Sequence, residues 1–438
     1  MRRKPGTLFC LSLGCAKNRV DSERIVGLMA EAGFEPVDRA EGARTCIVNT
    51  CGFLESAVRE NIDAILDLIG LKERGRISRL GVVGCLVNRY GAELPANLPE
   101  VDFWAGCEDY GAILSAVGGT GQVPEYPKRH PLPGDAGHTR YLKLSEGCDN
   151  RCSYCAIPDI RGTLRSVSLG LLVSEALGLV REGAREICLV GQDLTAYGRD
   201  RGVGGGLVEL LDALESSLPK DVWLRLLYLH PDGVDRALLE RVACGVQTLP
   251  YLDIPIQHAS PRILFAMNRR TVGDALRGIF ETARRIRPDF ALRTTCMVGF
   301  PGEKRRDFDL LLRFLADVRF DRLGAFLYSP EEGTAAASLP GRVSNRTKRA
   351  RLERLVSLQE TISLERQGAF VGEELDVVID TVGDGLVEGR SFREAPEVDG
   401  VIEIRGARAS LAPGDLIRVV VREAFEHDMI AEEVRAKR

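Results

Sequence analysis

A chain of 438 residues is too long for one ordinary core, and at roughly 100–200 residues per domain it should hold two to four domains. Hydrophobic residues at 45% and charged residues at 28% match a globular protein and exclude a largely disordered one. Lys and Arg number 59 against 63 Asp and Glu, a formal charge of -4, so no chain-wide basic field exists to grip nucleic acid.

Met1-Arg2-Arg3-Lys4 leads into Pro5-Gly6 and a strand-like run, not the apolar core of a signal peptide. No apolar stretch reaches membrane-spanning length, so a soluble cytoplasmic protein is expected. Thr7 to Leu13 is a short apolar strand, and Arg19 to Ala32 has helical spacing, with Asp21, Ser22 and Glu23 near its start. Strand-like Thr45–Thr50, helical Glu55–Leu71 and strand-like Arg79–Gly84 complete a βαβαβ order. Short connections favour a parallel sheet, giving an N-terminal α/β domain over residues 5–117. Residues 118–138 are rich in Gly and Pro without a period and are expected to form a linker. From Arg140 to Phe326 six apolar strand candidates alternate with helices, which predicts an open or partial (β/α) barrel over 139–366, closed by a polar helix from Asn345 to Gln367. Short alternating strands between Gly and Asp turns predict a small antiparallel β-barrel over 367–438.

Twelve cysteines in a chain of this length do not suit a secreted disulfide scaffold. Cys148, Cys152 and Cys155 follow a predicted strand with C-x3-C-x2-C spacing. Three thiols so close cannot all satisfy disulfide geometry, but they can bend around a small iron–sulfur cube. Zinc normally wants a fourth Cys or His at short spacing, and Cys188 lies far off inside a strand. A zinc site or three structural thiols are the competing readings. Cys15, Cys51 and Cys85 each stand at the end of a predicted parallel strand, in SLGC, VNTC and VVGC. Carboxyl ends of parallel strands face one edge, so these three can converge. On spacing alone, three buried packing residues fit equally well. Cys10, Cys46, Cys107, Cys188, Cys244 and Cys296 read as core thiols.

The triplet with Tyr154 inside it, after the first strand of a (β/α) domain, resembles the radical S-adenosylmethionine superfamily. That resemblance implies a 4Fe–4S cluster whose open iron binds S-adenosylmethionine and whose electron cleaves it to a 5′-deoxyadenosyl radical. It also implies adenine-side packing for Tyr154 and cofactor contacts from Gln192, Gln257, Gly299, Gly302 and Glu303. Asp193, His230 and His258 sit at other strand ends. Arg161, in IRG after the triplet, serves either a carboxylate or the surface, and His258 either lines the site or is a satisfied core histidine.

With Cys15 in SLGCAKNRVDSE, Cys51 in VNTCGF and Cys85 in VGCL upstream, the whole chain resembles the methylthiotransferase family. The implication is a second 4Fe–4S cluster on Cys15, Cys51 and Cys85, carrying sulfur that one S-adenosylmethionine methylates while another is cleaved at the triplet. The family has a transfer-RNA branch, which modifies an adenosine, and a RimO-like branch, which modifies the β-carbon of an aspartate in the S-twelve protein of the small ribosomal subunit. SEGCDNRCSYCAIPDIRG, GQDLTAYG, YLDIPIQHAS, FLYSPEEGTAA and FREAPEVDG resemble the second. Its implied partners are that ribosomal protein, an electron donor and a sulfur source, the last two unidentified. The terminal domain resembles a TRAM domain, a fold often used to hold RNA. Yet residues 370–438 carry sixteen Asp and Glu against nine Lys and Arg, a net of -7. Phosphate binding wants the opposite sign, so a basic protein is the better match. A local basic patch around Arg390, Arg393, Arg405 and Arg408 would change that reading. The alternatives are a transfer-RNA methylthiotransferase and a zinc-containing RNA-binding module.

Overall fold

A computed structural model describes residues 6–119, 123–134, 137–202, 206–383 and 385–434. The chain forms two compact units. The first comprises residues 1–135 with 146–150 and 155–163, and the second comprises 136–145, 151–154 and 164–438.

In the first unit, β1 (Thr7–Ser12), α1 (Ala16–Glu31), β2 (Glu35–Pro36), β3 (Thr45–Thr50), α2 (Glu55–Glu73), β4 (Arg79–Gly84), α3 (Cys85–Tyr90), α4 (Glu93–Asn97), β5 (Phe103–Ala105) and α5 (Tyr110–Ala116) follow in order. The strands form a parallel sheet, β2-β1-β3-β4-β5. Both faces of β3 are buried throughout, as expected for a central parallel strand covered by helices. The helix α1 begins three residues before the expected Arg19, which turns Asn18, Asp21 and Ser22 inward; all three are buried. Its other polar residues are covered by the segment expected to be a linker. Arg24 donates to the Pro127 carbonyl at 3.0 Å and lies over the Tyr126 ring, and Glu23 pairs with Arg129 at 2.7 Å. Over residues 123–132 that segment is therefore a strap packed on α1; its residues 120–122 and 135–136 lie outside the described residues.

Along the chain come β6 (Thr139–Lys143), β7 (Ser145–Glu146), α6 (Ile157–Arg161), β8 (Arg165–Ser166), α7 (Leu169–Arg181), β9 (Glu186–Val190), α8 (Gly206–Ser217), β10 (Trp223–Leu226), α9 (Arg236–Cys244), β11 (Tyr251–Asp253), α10 (Pro261–Ala266), α11 (Gly273–Ile286), β12 (Ala291–Val298), α12 (Arg305–Val318), β13 (Arg322–Leu327) and α13 (Asn345–Gly368). Within the second unit, β6, β9 and β10 form one parallel group and β11, β12 and β13 another. A parallel bridge between Leu224 and Thr248 joins the two groups. This is a six-stranded partial (β/α) barrel, with leucine-rich helices packed on its strands.

The remaining strands, β14 (Glu374–Gly383), β15 (Leu386–Arg390), β16 (Ile402–Arg405), β17 (Leu416–Ala424) and β18 (Met429–Glu433), close a small barrel in the order β14-β15-β16-β18-β17. All its pairings are antiparallel except β16 with β18. Alternate residues Leu375, Val377 and Ile379, then Ile417, Val419 and Val421, fill its interior, the two-residue period of a strand with one buried face.

The small barrel sits against the amino-terminal ends of all six strands of the larger one. Arg390 pairs with Glu186 at 2.6 Å and donates to Thr139 Oγ1 at 3.0 Å, and Arg225 reaches the Ser391 and Phe392 carbonyls. Asp399 accepts from the Tyr251 hydroxyl and faces Arg293; Arg393 meets Asp321, and Arg322 meets Glu394. Glu186, Arg225, Tyr251, Arg322, Arg390, Arg393 and Glu394 are buried, so the docking is largely ionic. Much of FREAPEVDG, expected to mark the substrate branch, is thereby engaged in holding the two barrels together.

Candidate functional site

Cys15 precedes α1, Cys51 directly follows β3 and Cys85 opens α3 directly after β4. Because β1, β3 and β4 are neighbours in a parallel sheet, all three cysteines stand at one edge. The turns that carry them touch. A Cβ on Gly14, whose φ is +94°, would stand 2.7 Å from Cys51 Cβ, and one on Gly52 would stand 2.7 Å from the Cys85 carbonyl oxygen. Only glycine allows either approach. Asn18 stitches two of the turns together, its amide donating to the carbonyls of Leu13 at 2.9 Å and Thr50 at 2.8 Å. Asn61 grips the Cys51 backbone from both sides.

Burial raises the Cys51 thiol above its ordinary value, and the charges of Cys15 and Cys85 add to the rise. At Cys85 the direction reverses: the hydrogen bond from Cys107 outweighs burial and, with Arg161, favours the thiolate. Cys107 was expected in the core, but it is half-buried with its sulfur 3.8 Å from Cys85 Sγ. Cys244, also expected in the core, is exposed at the end of α9. Cys46, Cys188 and Cys296 are buried, and Cys10 is half-buried.

Arg161 is no surface arginine. It is buried in the first unit, where it donates to both oxygens of Glu146 at 2.8 and 2.9 Å, to Asp21 at 3.2 Å, to Asn18 Oδ1, and through Nε to Cys85 Sγ at 3.2 Å. The carboxylates it serves are thus the protein's own, although Glu108 joins Asp21 and Glu146 with oxygens within 4.8 Å of one another. Asn18, Asp21 and Arg161 lay inside quoted motifs, yet neither spacing nor period marks a side chain that acts across the fold.

The triplet lies on the loop between β7 and α6, with Cys148, Cys152 and Cys155 each half-buried. Gly147, at φ +71°, has the Thr163 carbonyl 2.0 Å from where a Cβ would stand, so the loop entrance accepts only glycine. Among the described residues, no three Cys or His donors lie within 4.8 Å of one another. A single zinc with bonds of about 2.3 Å needs its sulfurs roughly 4 Å apart. A cube needs no such spacing, because each cysteine holds a different iron. Each set offers three cysteine sulfurs, the donor chemistry of an iron–sulfur cube.

In the second unit the other expected residues follow the carboxyl ends of the barrel strands. The Tyr154 hydroxyl accepts from buried Arg269 at 2.9 Å. Gln192 is half-buried after β9, beside Asp193, whose carboxylate accepts from Thr195 and from the His230 amide. Gln257 adopts φ 65°, a left-handed conformation rare for its type, and its buried Oε1 has no hydrogen-bond partner. Buried Nε2 of His230 also has none, and burial together with Arg269 lowers that imidazole to about 4. Gly299 and Gly302 have φ near +80° in the turn after β12. Glu303 holds that turn: one oxygen accepts from the Gly299 and Phe300 amides, and the other pairs with Arg351 at 2.7 Å. His258 is a core histidine whose Nδ1 accepts from the Ala259 and Ser260 amides at 2.9 Å while its buried Nε2 has no hydrogen-bond partner, and burial lowers it to about 3. Orphaned polar atoms at strand ends are what a polar cofactor or substrate would complete.

The basic patch does not form. Arg390 and Arg393 are buried in the docking interface, and Arg405 and Arg408 pair with Glu403, Glu423 and Glu433. Arg418 meets Asp376 and Arg422 meets Glu432, so every described arginine of the terminal barrel is ion-paired.

Three family models match the chain: an uncharacterized protein family, UPF0004, over residues 7–106, the radical SAM superfamily over 142–315, and the TRAM domain over 371–434. Among curated relatives, the protein named ribosomal protein uS12 methylthiotransferase RimO from Desulfosudis oleivorans is 43% identical, over 96% of this chain and 98% of its own. Proteins of the same name from Geobacter sulfurreducens and Heliobacterium modesticaldum are 40% and 41% identical, over 96% and 97% of this chain and 97% and 94% of theirs. Among solved structures, the radical S-adenosylmethionine methyltransferase TsrM from Kitasatospora setae aligns with TM-score 0.54 at 13% identity, covering 87% of this chain and 80% of that one. The cobalamin-dependent S-adenosylmethionine radical enzyme OxsB aligns with TM-score 0.51 at 12% identity, covering 82% and 56%. At such identities the likeness is one of fold.

Proposed function

The chain belongs to the family of ribosomal protein uS12 methylthiotransferases, and from that premise we infer that it adds a methylthio group to the β-carbon of an aspartate in uS12. It is a sulfur-transferring radical S-adenosylmethionine enzyme with a 4Fe–4S cluster. The observation that carries the reading further, to a second cluster, is the gathering of Cys15, Cys51 and Cys85 at one sheet edge in a chain that also has the triplet. Ligands to the second cluster are Cys15, Cys51 and Cys85, and ligands to the first are Cys148, Cys152 and Cys155. When bound, these groups supply the electron, the hydrogen-abstracting radical and the methylated sulfur that an unactivated carbon requires. The chain's own residues hold and orient them. Tyr154, fixed by Arg269, packs beside the cofactor, while Gln192, the Gln257 Oε1 and the backbone of the Gly299–Gly302 turn bind it. The domain limits that fit this assignment are 5–117, 139–366 and 367–438, with 118–138 between the first two.

Between uS12 and transfer RNA, the terminal barrel favours the protein. Neutralised phosphates supply most of the affinity for RNA. Every described arginine there already has a carboxylate, and the domain's net charge of -7 attracts a basic ribosomal protein. A ribosomal-protein substrate supports a cytoplasmic site of action. An electron donor and a sulfur source complete the reaction; their identities do not follow from this chain.

The test is an anaerobic reaction of reconstituted, reduced enzyme with S-adenosylmethionine, sulfide and equal amounts of uS12 and unmodified transfer RNA, read by mass spectrometry. A methylthio increment on one aspartate, with the RNA untouched, is expected. An increment on an adenosine would overturn the substrate while leaving the chemistry. In parallel, Cys15→Ala, Cys51→Ala and Cys85→Ala should each halve bound iron and stop methylthiolation while cleavage of S-adenosylmethionine survives; Cys148→Ala should stop both.

A further inference from the structure

Two donors in the first unit converge on one sulfur. Arg161 Nε stands 3.2 Å from Cys85 Sγ, and the Cys107 thiol approaches the same atom at 3.8 Å. Neither is accidental packing. The Arg161 guanidinium is held by four partners: Glu146, Asp21 and Asn18, with Cys85 as the fourth, so its Nε–H cannot swing elsewhere. Cys107 is fixed by its own backbone, whose amide donates to Asn88 Oδ1 at 3.2 Å, while Asn88 also donates to the Ile160 carbonyl at 2.6 Å, one residue before Arg161.

We propose that Arg161 and Cys107 are positioning residues that set the reduction potential of the N-terminal cluster through two hydrogen bonds to the Cys85 sulfur. The inference rests on the reading that Cys15, Cys51 and Cys85 hold such a cluster. A ligating thiolate gains negative charge when its cluster is reduced. Donors aimed at it therefore stabilise the reduced form more than the oxidised one and raise the potential. Arg161 is itself ion-paired with Asp21 and Glu146, so its Nε–H stays aimed at the Cys85 sulfur.

The experiment uses the full chain in a Cys152→Ala background, where the N-terminal site alone keeps all three cysteines. After anaerobic reconstitution, iron is assayed and the cluster is reduced stepwise while its paramagnetic resonance spectrum is recorded. About four irons per chain are expected. Arg161→Lys keeps the charge but removes the fork, and should move the midpoint to a more negative potential and alter the spectrum at equal iron content. Cys107→Ala leaves the ion pairs in place and should move the midpoint in the same direction by less. If Arg161→Lys fails to fold, the Cys107→Ala shift alone decides. Full iron with an unchanged midpoint in the folded variants overturns the inference but not the cluster. Loss of iron in Cys107→Ala also overturns it, by making Cys107 a ligand. No iron in the Cys152→Ala parent overturns the cluster reading itself.

Discussion

Glu186→Gln tests whether ionic docking holds the two barrels of the second unit together. Glu186 is fully buried and lies between two buried guanidinium groups, 2.6 Å from Arg225 Nε and 2.6 Å from Arg390 Nη1. The amide keeps the shape and removes the charge. Arg390 would retain Asp380 at 2.7 Å, but Arg225 would lose its carboxylate and rest on the Phe392 and Ser391 carbonyls and the Tyr251 ring. Breaking a buried pair by removing one partner costs about 3–5 kcal/mol, because the remaining charge stays desolvated. With a urea dependence of roughly 3–4 kcal/mol per molar for a unit of this size, the unfolding midpoint should fall by about 1 M. The chain has two tryptophans, and Trp223 lies in β10 two residues from Arg225. In a Trp104→Phe background its fluorescence reports this unit alone. Adding Arg225→Met should recover part of the loss, since no unpaired guanidinium then remains. A midpoint within about 0.3 M of the parent, near 1 kcal/mol, would refute the argument.

Three further outcomes follow from the same structure. Burial would raise the Asp321 carboxyl, but Arg393, Arg284 and Arg366 outweigh it and hold it at about 2; its folded value lies below its unfolded one, so its stabilisation of roughly 2–3 kcal/mol is present above pH 4 and lost as pH falls toward 2. Asp321→Asn should therefore flatten the dependence of the urea midpoint on pH between 4 and 2, and an unchanged slope would count against it. Gly14→Ala must force a Cβ against Cys51 in a left-handed conformation, so reconstituted enzyme should lose about half its iron, whereas full iron would show that the turns do not need their close approach. Reversing exposed Glu374 and Asp376 to Lys on the outer face of the terminal barrel should raise KM for uS12 several-fold at unchanged kcat, with the penalty shrinking in added salt; a fall in kcat alone would speak against a recognition role.

The sequence made legible whatever depends on local order. The triplet's cysteines are neighbours on one loop, and each N-terminal cysteine follows a strand whose apolar run is readable, so where each set stands in the fold could be expected in advance. Side chains that act across the fold could not. Arg161 sits in a motif whose text does not say that it reaches back 76 residues to Cys85. Cys107 follows a short strand much as a core thiol would, and only tertiary packing brings it to Cys85. The strap on α1 was hidden because Gly and Pro mark irregular backbone without telling whether it is free or packed. Likewise, Arg390 and Arg393 read as surface charge in an acidic domain, since burial of an arginine depends on a carboxylate supplied from another part of the chain.

The small barrel covers the amino-terminal ends of the strands, whereas Gln192, His230, Gln257 and Gly299 follow their carboxyl ends. The eight-residue β12 spans roughly 26 Å at about 3.3 Å per residue. A partner gripped by the outer face of the small barrel must therefore send its reactive aspartate past the full depth of the larger barrel on an outstretched loop. Anchoring point and reacting atom are then separated like the handle and tip of a tool. The grip can be remodelled for another protein without disturbing the chemistry, and a free aspartate or a short peptide, having no handle, should be a poor substrate.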